Sequence, residues 1–169
     1  KKADLFAKKL AKFTGIPRVT LCNSGSSANL LAMTALVDLY GTPKNSLIVT
    51  SALAFPTTVA PIIQNGMIPY FVDVDISTLN PSMTRLRELA NNPKVGGIIL
   101  AHTLGFPYDE KEVVKAFGEA GKWIIADCCD ALGATVDGVH VGTYADAATL
   151  SFFPAHHISA GEGGAVACH

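Results

Sequence analysis

The chain has 169 residues, 49% of them hydrophobic, with a mean hydropathy of +0.33, enough apolar material to bury one sizeable core. Its 13 basic and 14 acidic residues leave a net charge of -1, and no run of Lys or Arg supplies the electrostatic stripe on which nucleic-acid binding depends. A small-molecule ligand is the expectation, with one globular domain to hold it.

The opening stretch, KKADLFAKKLAKF, carries charges throughout, where an export signal needs an apolar segment. No apolar run approaches the roughly 20 residues of a membrane span. Beyond it, short apolar runs alternate with helical periodicity, the pattern of strands separated by helices on the faces of a mostly parallel sheet. In chain order the expected strands are Arg18 to Cys22, Leu47 to Thr50, Ile68 to Val72, Val95 to Ala101, Trp123 to Asp127, Ala147 to Phe152 and Gly164 to Ala167. Helices are expected from Ser26 to Tyr40, Pro56 to Gln64, Pro81 to Asn91 and Asp109 to Gly121. Small residues open the first, and proline opens the second and third. No linker, repeat or low-complexity segment divides the chain. The missing initiator Met and the end at Cys168-His169, directly after a strand-like run, are those expected of a fragment. Cys22, Cys128, Cys129 and Cys168, two of them adjacent, make a poor disulfide framework and point to a reducing cytoplasm.

Three segments carry chemistry. In Asn23-Ser24-Gly25-Ser26-Ser27-Ala28-Asn29 a strand ends in a hydroxyl-rich turn that begins a helix. Helix N-termini bind anions through free N–H groups, and Gly25 would let a phosphate approach the backbone. Alone, the segment reads first as an ordinary helix N-cap made by Ser24 or Ser26. In Ile124-Ile125-Ala126-Asp127-Cys128-Cys129-Asp130 an apolar strand delivers a carboxylate to its C-terminal end, the edge where ligands of open α/β sheets lie. Asp127 there could hold a pyridine nitrogen protonated or merely cap a turn. The third segment runs Ser151-Phe152-Phe153-Pro154-Ala155-His156-His157-Ile158-Ser159-Ala160-Gly161-Glu162-Gly163-Gly164. Neighbouring histidines seldom point the same way, and no other His or Cys stands at finger-like spacing, so a metal site is not expected.

In this order and at these separations, the three segments resemble the DegT/DnrJ/EryC1/StrS family of sugar aminotransferases. The resemblance implies the type I fold of pyridoxal phosphate enzymes, with this chain as the α/β coenzyme-binding large domain, a mostly parallel mixed sheet between helices. At the position of His156 the family normally carries the lysine that forms a Schiff base with the coenzyme. An imidazole cannot form that bond. The coenzyme is then expected to bind noncovalently, as pyridoxamine phosphate, and the segment is similar to that of the CDP-4-keto-6-deoxyglucose 3-dehydrases.

That subgroup's chemistry, as the resemblance implies it, is loss of the C3 hydroxyl from a nucleotide-linked 4-keto-6-deoxy sugar. His156 would be the base that takes a proton from the coenzyme C4′ carbon, and Asp127 the partner of the pyridine nitrogen. Gly25, Ser26 and Ser151 match phosphate contacts. Phe55 matches a ring-stacking position or fills the core, and His157 touches substrate or packs beside its loop. Cys129 resembles the first ligand of a two-iron, two-sulfur (2Fe-2S) cluster fed by an NADH-dependent flavin reductase. Such clusters need four thiolates, and the other three are expected beyond His169. A homodimer is expected, with part of each site supplied by the partner. An aminotransferase and a noncatalytic binding fragment remain as alternatives.

Overall fold

The computed structural model describes residues 1–169. The chain runs α1 (Lys2–Thr14), β1 (Arg18–Cys22), α2 (Gly25–Leu39), β2 (Leu47–Ser51), α3 (Pro56–Gln64), β3 (Ile68–Val72), α4 (Met83–Ala90), β4 (Val95–Ala101), α5 (Glu110–Glu119), β5 (Trp123–Asp127), a hairpin of β6 (Thr135–Val136) and β7 (Val139–His140), then β8 (Ala147–Ser151) and β9 (Gly164–Cys168). A single 3-10 turn, Thr103–Gly105, follows β4. Seven strands form one sheet in the order β1-β9-β8-β5-β4-β2-β3. β9 runs antiparallel to both of its neighbours, and the remaining pairs are parallel.

The central strands of the sheet are buried on both faces, as in a parallel sheet with crossover helices. Alternation along each strand sends consecutive residues to opposite cores. Val49, Ile98 and Ile124 join a cluster of 25 buried residues under α1, α4 and α5. Their sequence neighbours Ile48, Ile99 and Ile125 join a cluster of 11 on the side of α2 and α3. One cross-strand fit fixes the register of β4 on β5. Gly97 lies opposite Trp123, and a Cβ at Gly97 would stand 2.3 Å from the indole ring. The indole N–H of Trp123 donates to Thr42 Oγ1 at 2.9 Å.

Every expected strand forms, and the expected helices form with ends that differ from expectation by at most two residues. α4 starts at Met83 rather than Pro81 because Pro81 bridges back to Val74 and Ser82 takes the N-cap position. Two elements were not expected. α1 turns its apolar stripe inward, burying Leu10 and setting Phe6 edge-on to Phe152 at 5.0 Å. The β6–β7 hairpin turns on Asp137-Gly138, both with positive φ (53° and 77°), the geometry a two-residue type I′ turn requires.

α5 also fastens the connection into β8. Asp109 caps it by accepting the Glu112 N–H at 3.0 Å. The buried Glu110 carboxylate accepts the N–H groups of Gly142, Tyr144 and Ala145 at 2.6 to 2.9 Å. Burial pushes the Glu110 pKa up, against those three bonds.

Candidate active site

The C-terminal ends of β5 and β8 and the N-terminus of α2 meet at one edge of the sheet. β1 delivers Asn23-Ser24 to that edge, and Ser24 caps α2 by accepting the Ser27 N–H at 3.1 Å. The cap and the anion seat are therefore compatible, because capping Ser27 leaves the N–H groups of the first turn before it without an intrahelical acceptor. Gly25 is buried, and a Cβ there would lie 2.6 Å from Ser151 Cβ, 2.9 Å from Cys129 Sγ and 3.0 Å from Ser151 Oγ. Gly25, Ser151 and Cys129 thus share one corner, which only glycine leaves open. Ser26 is exposed at its rim. Ser151 is 4% exposed, and its hydroxyl oxygen accepts the Phe153 N–H at 3.4 Å, so its own O–H remains available to donate. A helix N-terminus, a free hydroxyl and an open glycine corner fit a phosphate group.

Asp127 ends β5 with its carboxylate 5% exposed and held on both oxygens. Oδ2 accepts Asn29 Nδ2 at 2.9 Å and Thr58 Oγ1 at 2.7 Å. Oδ1 accepts the Cys129 N–H at 3.1 Å. Thr149 Oγ1 donates to Asn29 Oδ1 at 2.6 Å, fixing the amide orientation that serves Asp127. Four elements converge here: β5, α2, α3 and β8. A buried carboxylate donated to in this way still retains a lone pair for a further N–H. That fits a protonated pyridine nitrogen.

Asn29, Thr58 and Thr149 were not picked out from the sequence as site residues. A signal existed for Asn29, a lone amide on the inward face of an apolar helix. Thr58 and Thr149 carry none, since a threonine in a half-apolar segment is unremarkable until the tertiary neighbour is known.

The loop after β8 returns across the same edge. Gly164 packs so closely on α2 that a Cβ would stand 2.2 Å from the Ser24 carbonyl oxygen. From Phe153 to Glu162 every residue is exposed except His156. Its Nδ1 stands 3.3 Å from Asp130 Oδ1, with side-chain exposures of 20% and 42%. His157 is exposed. Phe55 is 69% exposed at the N-cap of α3, three residues before Thr58, which corrects the expectation that it fills the core equally well. A large exposed ring at this edge is free to cover a ligand.

All four cysteines are free thiols. Burial raises the Cys129 pKa well above the ordinary thiol value, with the Asp127 charge adding to it. Cys128 lies wholly buried against Gly142, and Cys22 donates to the Ser24 carbonyl at 3.3 Å. No three His, Cys, Asp or Glu side chains gather in a metal-ligating group. The residues of this stretch do not by themselves fit an iron–sulfur cluster.

Behind the site lies a second buried polar group. The His102 N–H donates to the Asp127 carbonyl at 3.0 Å, and its ring stacks on Tyr108 at 4.1 Å. Neither ring nitrogen, nor the Tyr108 hydroxyl, has a hydrogen-bond partner. Glu110 is 3.7 Å away but already engaged by three N–H groups. Burial, assisted by nearby His140, lowers the His102 pKa from 6.5 to about 3, so the ring is neutral.

Comparison with known proteins bears on the family and the fold. The lipopolysaccharide biosynthesis protein RfbH of Salmonella typhimurium is 50% identical over 171 residues, taking in 96% of this chain and 38% of that protein. The dTDP-4-dehydro-2,6-dideoxy-D-glucose 3-dehydratase of Saccharopolyspora spinosa is 41% identical over 172 residues, covering 97% and 36%. Among solved structures, E. coli GDP-4-keto-6-deoxy-D-mannose-3-dehydratase with bound hydrated PLP matches with a TM-score of 0.92 at 32% identity, over 99% of this chain and 43% of that one. The chain thus spans between 36% and 43% of the length of these relatives. Its fold is that of the PLP-dependent aminotransferases. The family model for the DegT/DnrJ/EryC1/StrS aminotransferases matches residues 1–169, and the chain belongs to that family.

Proposed function

We propose that this chain forms the coenzyme-binding part of a pyridoxamine phosphate-dependent 3-dehydratase acting on a nucleotide-linked 4-keto-6-deoxy sugar, CDP-linked by its resemblance to that subgroup, in dideoxysugar biosynthesis. One observation carries the reading. His156 is the one side chain of its loop that is not exposed, and by the resemblance it stands where the family's aminotransferases hold a coenzyme lysine.

When bound, the coenzyme supplies an amine to join the sugar ketone and a ring that accepts electrons as the C3 hydroxyl leaves. The residues of this chain do the rest. The α2 N-terminus with Gly25, Ser26 and the Ser151 hydroxyl holds the phosphate. Asp127, fixed by Asn29 and Thr58, keeps the pyridine nitrogen protonated. Phe55 covers the ring face. His156 accepts the C4′ proton, an imidazole being able to take up a proton on a free ring nitrogen.

An aminotransferase would need a coenzyme lysine from elsewhere, because no Lys occurs between Lys122 and His169. The reading brings with it a cytoplasmic homodimer. It also brings a 2Fe-2S cluster served by an NADH-dependent flavin reductase, for which the longer protein would supply the thiolates this stretch lacks. Iron and acid-labile sulfide analysis tests that part.

The function itself is tested by titrating the full-length protein with pyridoxamine phosphate and pyridoxal phosphate, following absorbance, with borohydride trapping. Saturable pyridoxamine phosphate binding without a trapped lysine adduct, and C3 dehydration in assays of CDP-, dTDP- and GDP-linked keto sugars, is the expected result. A borohydride-trapped lysine would establish the aminotransferase instead.

A further inference from the structure

We propose that Asp130 is the positioning residue of His156, the two forming a dyad in which Asp130 holds the Nδ1–H and leaves the Nε2 lone pair to accept the proton. The proposal rests on the reading of His156 as the base, and it assigns a second residue to that reading.

The geometry comes from two separate loops. Asp130 sits in the tight turn that follows β5, closed by the Ala131 N–H donating to the Cys128 carbonyl at 3.0 Å. The same turn is pinned at its start by Cys129 N–H on Asp127 Oδ1. The loop leaving β4 presses on its other side, where a Cβ at Gly105 would meet the Asp130 carbonyl oxygen at 3.5 Å. Asp127 and Asp130 are therefore the two ends of one short, braced turn. The first carboxylate faces the buried amide and hydroxyl of Asn29 and Thr58, and the second faces His156 Nδ1 at 3.3 Å.

A neutral imidazole carries one N–H and one lone pair, and the partner of one nitrogen decides the role of the other. A carboxylate accepts only, so Asp130 selects the Nδ1–H form and steadies the cation that forms once Nε2 is protonated. The contact also explains why His156 alone turns inward in a stretch of exposed residues. As a stabilising pair it would count for little, because solvent screens half-exposed ion pairs. Its consequence is orientation.

The test uses the full-length protein labelled with nitrogen-15 histidine, free of coenzyme, at a pH where imidazole is neutral. Long-range proton–nitrogen NMR reads the tautomer directly, and the signal that His156→Asn removes is that of His156. The wild type should show a protonated Nδ1. Asp130→Asn should move the ring toward the Nε2–H form, and Asp130→Glu should restore part of the Nδ1–H population. With pyridoxamine phosphate bound, Asp130→Asn should slow C4′ hydrogen exchange about 10- to 100-fold, a share of the roughly 100- to 10,000-fold that a general base supplies, while coenzyme Kd stays unchanged. A wild-type ring protonated on Nε2, or a tautomer indifferent to Asp130→Asn, overturns the dyad. If the tautomer responds but His156→Asn leaves exchange at its full rate, the positioning contact stands and the base assignment falls.

Discussion

At the scale of single residues, the roles proposed for His156 and Asp127 make separable predictions. His156→Asn in the full-length protein should retain pyridoxamine phosphate while C4′ hydrogen exchange stops, read by deuterium washout from labelled coenzyme. Exchange at the wild-type rate would remove His156 from the proton's path. Asp127→Asn should act differently, because the amide cannot hold a cation and now faces the N–H of Cys129 and the donors from Asn29 and Thr58. Breaking such a buried, charge-assisted set costs about 1.5 to 3 kcal/mol, so coenzyme affinity should fall about 10-fold or more, with the catalytic rate falling alongside. Unchanged Kd and rate would place the pyridine nitrogen elsewhere.

At the scale of elements, the join between α2 and the ends of β5 and β8 is built without spare volume. Gly25→Ala would set a methyl 2.6 Å from Ser151 Cβ, and overpacking of this kind costs about 1 to 3 kcal/mol. A drop in thermal midpoint together with weaker coenzyme binding is expected, measured by melting curves with and without pyridoxamine phosphate. A variant with both values intact would show that the corner has slack.

The same join marks how far the sequence could be read. Strand and helix periods placed Asp127, Ser151 and Gly25 at strand and helix ends, and the strand ends of an open sheet share an edge. Their convergence was legible for that reason. The supports of Asp127 were not, because Asn29, Thr58 and Thr149 lie 98, 69 and 22 positions away along the chain, and nothing local marks a threonine as a donor to a distant carboxylate. The β6–β7 hairpin was legible and overlooked, since Asp137-Gly138 between apolar residues is a turn signal. α1 was hidden by its five charged residues, Lys2, Asp4, Lys8, Lys9 and Lys12, which obscure the inward stripe of Phe6 and Leu10.

At the scale of the molecule, the neutral, wholly buried His102 predicts an acid weakness. Between its folded pKa of about 3 and the ordinary 6.5, the unfolded chain binds a proton that the native ring refuses, so stability falls as pH falls through that window. At about 1.4 kcal/mol per pKa unit, the full effect is roughly 3 to 5 kcal/mol. Glu110 works in the opposite sense, since its raised pKa makes the native state the better proton binder just above pH 4.5. Comparing wild type with His102→Phe isolates the histidine: denaturant midpoints between pH 4 and 7 should be flatter in the variant. Parallel curves would mean that the ring charges without cost.

The stacking of β5 beside Gly97 has an optical consequence. Trp123 is the sole tryptophan of this stretch. It is wholly buried at the first residue of the strand whose last residue is Asp127. Four residues of strand place its indole about 13 Å from that carboxylate, in a rigid and dry setting. If the proposed coenzyme seats at Asp127, radiationless transfer over this short distance to a pyridoxamine ring that absorbs in the near ultraviolet should quench the tryptophan. On the proposed reading, the sheet that positions the coenzyme would also carry an internal fluorescent gauge, one that registers occupancy of the site without touching it.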